Sequence, residues 1–144
     1  MFAVISADVT KPAPTQYHIG TNNGNAAGFV VFVERLISSG WLGHGEVLVM
    51  ENAAIHVGGD ASIVEDLLWE TEKDGRPLRT VVLWLPTRSP ELNPIELVFG
   101  IFARRLRSGQ YNPQIPIADR ASAVMDNFTS EEIVSCIRHC GYNL

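Results

Sequence analysis

Val47-Leu48-Val49-Met50-Glu51-Asn52-Ala53-Ala54-Ile55-His56 changes character at its fifth residue. The apolar run Val47–Met50, entered from Glu46, is too short for a helix. It reads as a strand buried on both faces, as in a parallel sheet. Glu51 then stands at the carboxyl end of that strand, followed by Asn52 and, five positions after Glu51, by His56. In open α/β sheets ligands bind beyond the carboxyl ends of strands, so a carboxylate there is a candidate for chemistry. The same residues also suit a plain loop, with Glu51 solvated and Asn52 turning the chain.

Working outward, Arg79–Leu85 reads as a second buried strand. Between the two, residues 60–72 read as a helix with Ile63, Leu67 and Leu68 on one side, broken by Lys73-Asp74-Gly75-Arg76-Pro77. Before the first run, residues 25–39 carry Phe29, Phe32, Val33, Leu36 and Ile37 at helical spacing, and Gly40 fits the stop. Residues 2–10 and 15–19 read as strands around the turn Lys11-Pro12-Ala13-Pro14, which predicts an antiparallel hairpin. After the second run, a helix runs from near Pro94 to about Arg107 with Ile95, Val98, Phe99, Phe102 and Leu106 as its stripe. Helices over about 116–127 and 130–140 follow, the last with Thr129 and Glu132 placed as a capping box and Gly141 as its stop. This order predicts an α/β fold with parallel strands joined by crossover helices. No repeat or linker interrupts it, so residues 1–144 read as a single domain.

Composition narrows the class. Apolar residues make up 46% of the 144, a globular proportion. No apolar run reaches the roughly 18 to 20 residues of a membrane span. Met1-Phe2-Ala3-Val4-Ile5-Ser6 has no basic leader pattern, so the chain reads as soluble and intracellular, without a membrane partner. A formal charge of −5 is unlike a dedicated nucleic-acid-binding domain, although an acidic site can meet DNA through a local basic patch. Arg88, Arg104, Arg105 and Arg107 could form one, or the last three could simply complement a helix dipole. Cys136 and Cys140, with His139 between them, make a weak metal-like cluster. They read as reduced thiols near a core face rather than a zinc site, because zinc spacing would need a second pair of ligands. Trp41, Trp69 and Trp84 sit among apolar neighbours and read as core or interface anchors.

The second segment that carries chemistry is Leu85-Pro86-Thr87-Arg88-Ser89-Pro90-Glu91-Leu92-Asn93-Pro94-Ile95-Glu96. Asn93 suits a helix N-cap, Pro94 the first helical position and Glu96 the third. Glu96 therefore has a structural role open to it, as a capping-box carboxylate. One and two turns on, Gly100 and Ala103 leave room for a ligand or metal, or for close helix packing.

Together the two segments resemble the DDE domain of mariner-like and related insertion-sequence transposases. In that family the first motif reads Asp-Asn-x-x-x-His and the second Ser-Pro-Asp/Glu-Leu-Asn-Pro-Ile-Glu. The second is intact here, from Ser89 to Glu96. The resemblance covers nearly the whole chain and implies a ribonuclease-H-like fold, a mixed sheet with flanking helices. It also implies metal-dependent phosphodiester chemistry on DNA ends, with magnesium or manganese. Glu51 takes the place of the second catalytic Asp, and Glu96 that of the third carboxylate. Asn52, His56, Arg88, Arg104, Arg105 and Arg107 become candidate nucleic-acid contacts. Residues 2–10 resemble the family's second strand, so the first strand with its Asp is expected to be missing. Asp8 is the one acidic residue on the opening strand that could substitute as a metal ligand; otherwise it is a turn residue. The 44 residues between Glu51 and Glu96 exceed the family's usual spacing and suggest an insertion near Glu70 to Pro77.

These departures point toward inactivity. In the family two dications lie about 4 Å apart. At that distance they repel by about 17 kcal/mol at an effective dielectric near 20. The first Asp bridges them. Glu in place of Asp at 51 also moves a carboxylate by about 1.5 Å, and a misplacement of about 1 Å can cost roughly 10²-fold in rate. Three functions stay open. One is a transposase domain or a fragment of one. Another is a repurposed, non-catalytic module that binds nucleic acid or protein. The third is an active nuclease using Asp8, Glu51 and Glu96. DNA is the expected partner, with a nuclear location if the source is eukaryotic. A sheet without its first strand exposes an edge, so a homodimer or a partner strand is expected there.

Overall fold

The computed structural model of the protein describes residues 1–8, 10–19, 26–51, 60–109 and 112–143. Asn52 and His56 of the first motif lie outside them. Two compact units make up the chain: Met1–Thr21 with Pro90–Leu144, and Asn22–Ser89.

In the first unit, β1 (Phe2–Ile5) and β2 (Thr15–His18) pair antiparallel, Phe2 opposite His18 and Ile5 opposite Thr15. The expected hairpin is there, but its first strand stops at Ile5 rather than continuing to residue 10. The Ser6 N–H still reaches the Pro14 carbonyl (3.0 Å), and beyond it local side-chain bonds take over the backbone. Three helices complete the unit: α3 (Pro94–Arg107), α4 (Ile117–Asp126) and α5 (Ser130–His139). Their apolar faces meet in a core of Val98, Val124, Met125, Phe128, Ile133, Cys136 and Ile137, against which Ala3, Ile5 and Tyr17 of the hairpin pack. Polar bonds fix the hairpin on α4: the Thr15 hydroxyl donates to the Met125 carbonyl and the Tyr17 hydroxyl to the Asp126 carboxylate (2.7 Å).

The second unit holds α1 (Ala26–Ser38), β3 (Val47–Met50), α2 (Asp60–Glu70), the short strands β4 (Glu72–Lys73) and β5 (Arg76–Pro77), and β6 (Val81–Trp84). The expected parallel pairing is present: β3 and β6 run together in register from Val47↔Val81 to Met50↔Trp84. Phe32, Val33, Leu36 and Ile37 of α1 are buried, with Trp41, Leu48, Met50, Val64 and Leu68. Gly40, at φ +78, ends α1 as read.

Two expectations need correction, and a third gains detail. The strands β3 and β6 are not buried on both faces. Leu48 and Met50 are covered, while Val47 (61% exposed), Val49, Val81 and Leu83 (52%) point outward. An unbroken apolar run conceals the two-residue period that separates the faces. Among the described side chains of α2, Val64 and Leu68 are buried, and Ile63 is exposed. The break at 73–77 is itself a hairpin, β4 against β5, with positive φ at Asp74 and Gly75 (53° and 75°), the pattern of a type I′ turn. Among the described residues the strands pair two by two, one ribbon parallel and two antiparallel. A hairpin, two strand–helix alternations with parallel strands and a C-terminal group of helices make up a mixed α/β fold, in keeping with the ribonuclease-H-like class.

Candidate active site

Glu51 follows β3 directly. The Leu85 N–H donates to the Met50 carbonyl (2.8 Å), so the β3–β6 ladder runs to the end of the strand and releases Glu51, exposed, beyond it. The chain leaves β6 at the same end through Pro86-Thr87-Arg88. Arg88 is exposed and holds φ +61.

Glu96 lies in the other unit, in the first turn of α3. Ser89 leads into a 3-10 turn over Pro90–Leu92, whose Leu92 carbonyl accepts from the Tyr142 hydroxyl (2.8 Å). Asn93 is the N-cap, largely buried, and Pro94 occupies the first turn, as the sequence indicates. The capping box, however, is not formed. The Asn93 N–H already donates to the Pro90 carbonyl (3.0 Å), so the donor that Glu96 would reach back to is taken. Glu96 is therefore exposed and without that structural role. Below it, nothing lies within 4 Å of where a Cβ on Gly100 would sit, so this face of α3 is open.

Asp8 shares the unit of Glu96 but lies beyond the end of β1 at Ile5, not on the opening strand expected over residues 2–10. Its carboxylate accepts from the Thr10 N–H (2.9 Å) and from the Thr10 hydroxyl (2.7 Å). Those hydrogen bonds, side chain first, hold it below the usual carboxylate range, with help from Lys11. Both bonds are local to the turn that follows β1.

The arginines separate. Arg105 is ion-paired to Glu132 and lies over the Phe128 ring at 4.7 Å. Arg107 donates from Nε to the Ala103 carbonyl (3.1 Å) at the end of the helix. Arg104 and Arg88 are exposed. Cys136 and Cys140 are both buried and unbridged, and burial pushes both thiols up. Neither the unformed cap at Glu96 nor the left-handed backbone of Arg88 could be read from residue types alone.

Divalent-metal chemistry needs hard oxygen donors. Glu51 and Glu96 are donors of that kind, but they belong to different units. Among the described residues no three His, Cys, Asp or Glu side chains group as ligands. The described donors do not make up a metal site by themselves. Among the described residues no helix is long and apolar enough to cross a membrane.

No curated protein and no solved structure matches the chain. Residues 5–116 match the family model of the DDE superfamily endonucleases, a span that takes in both motifs, and the chain belongs to that family.

Proposed function

We propose that these 144 residues are a mariner-like transposase domain that retains two catalytic carboxylate positions, Glu51 and Glu96, and does not cleave DNA as it stands. The family works on DNA and generally uses divalent metals. Support comes from the fate of the third candidate. Asp8 is bound within the turn by Thr10 instead of standing on β1. Glu96 is exposed and outside the cap, so it remains available, whereas among the described residues no third His, Cys, Asp or Glu groups with another two as ligands.

The test is a nicking assay on supercoiled plasmid with magnesium and with manganese. The expected result is no cleavage by the 144-residue chain, and none after Glu51→Asp. Cleavage that disappears in Glu96→Gln overturns the proposal, and loss of that cleavage in Asp8→Asn would identify the third ligand.

One observation favours a second reading, a non-catalytic module built on self-association. The outward face of the β3–β6 ribbon carries Val47, Val49, Val81 and Leu83, all exposed. Among the described residues each of its strands has a single strand neighbour. Parallel strands usually have both faces covered, and a free edge invites pairing. The occupant in this reading is a second copy of the chain, through a two-fold contact. Sedimentation velocity is expected to give a dimer that Leu83→Lys converts to monomer. A monomer at high concentration rules the reading out.

A further inference from the structure

We infer that Arg88 is a phosphate-binding residue that holds the DNA backbone at the Glu51 end of the β3–β6 ribbon. The inference rests on the DNA reading above and assigns one residue to it.

Topology places Arg88. The two strands run parallel, Met50 is opposite Trp84, and the Leu85 N–H is bonded to the Met50 carbonyl. Glu51 and Arg88 thus leave the ribbon at the same end, in the same unit. Arg88 is three residues past Leu85, so its Cα lies at most about 10 Å from that rung.

The backbone singles it out. Arg88 holds φ +61, a left-handed conformation uncommon for any residue but glycine. Residues kept there concentrate at ligand sites, where the surrounding structure over-determines them. The other left-handed arginine, Arg79 at φ +56, lies over the Trp69 ring at 4.6 Å. Arg88 has no hydrogen bond, ion pair or ring contact among the described residues, and its side chain is exposed.

Chemistry supplies the ligand. Glu51 repels a phosphodiester brought to this end, and so does a chain of net charge −5. A guanidinium offsets that repulsion and can bond two phosphate oxygens at once. Arg105 and Arg107, the sequence candidates with internal partners, do not compete for the role.

The experiment is fluorescence anisotropy of a labelled DNA duplex with the full chain in EDTA, repeated over a salt series. Arg88→Gly is expected to weaken binding equally for unrelated sequences and to reduce the slope of log K against log salt by about 1. Its melting temperature is expected to hold or rise, because glycine adopts this backbone freely. Arg88→Lys is expected to keep the slope. Arg76→Ala, which removes an exposed charge from the β4–β5 hairpin, is expected to leave slope and affinity unchanged. An unchanged slope in Arg88→Gly, with the unmodified chain binding normally, overturns the assignment and leaves the DNA reading intact. An unmodified chain that binds no duplex overturns the DNA reading and the assignment with it.

Discussion

Two glutamates with the same sequence signature take different roles, and the difference lies in one backbone N–H. Glu96 and Glu132 each sit three residues after a capping residue, Asn93 and Thr129. The Thr129 N–H is free to donate to Glu132 (3.1 Å), and the Thr129 hydroxyl accepts the Glu132 N–H, so the box closes. The Asn93 N–H is bound by the preceding 3-10 turn, so Glu96 is released. Burial raises the Glu132 carboxyl, but the Thr129 N–H and the Arg105 guanidinium outweigh it and hold the group below its ordinary value. A folded pKa below the unfolded one gives stability that is present above the unfolded pKa and lost as pH falls through the folded one. Glu132→Ala is expected to cost about 1–2 kcal/mol at neutral pH in denaturant titration. It should also flatten the loss of stability below about pH 4.3. An unchanged acid limb would mean that Glu132 is not the group responsible.

At the scale of elements, the β3–β6 ribbon separates what a run of apolar residues says from what it leaves open. The run Val47–Met50 reveals a strand, and its repetition at 79–85 reveals a parallel partner. Both are present. Which residues face the helices could not be read, because alternation is invisible where every position is apolar. Leu48→Ala is expected to cost about 2–5 kcal/mol, as for a large side chain cut from a core. Its neighbour Val49→Thr should stay within about 0.5 kcal/mol in the same denaturant titration. Comparable losses at both positions would mean that the outward face is covered in solution. The 73–77 segment was legible as a break because Asp74-Gly75 is turn chemistry. The strands on either side are two residues each, too short for any periodicity to show.

At the scale of the whole molecule, the motif spanning Ser89 to Glu96 carried most of the functional information, and its local geometry followed from Asn93 and Pro94. The role of Asp8 was not legible, since it turns on whether the ladder outlasts Ile5, a competition between strand bonds and the side-chain bonds of Ser6 and Thr10. The division into two units was not legible either, because no linker composition marks the crossings near residues 21 and 89. That division has a practical consequence through the thiols. Cys136 and Cys140 are the only cysteines in the chain, both are buried, and both lie in the unit formed by the two ends of the sequence. An alkylating reagent can reach them only when that unit opens, and it has nothing to label in Asn22–Ser89. The rate of alkylation is thus a built-in clock for the opening of one half of the protein, with no engineered probe.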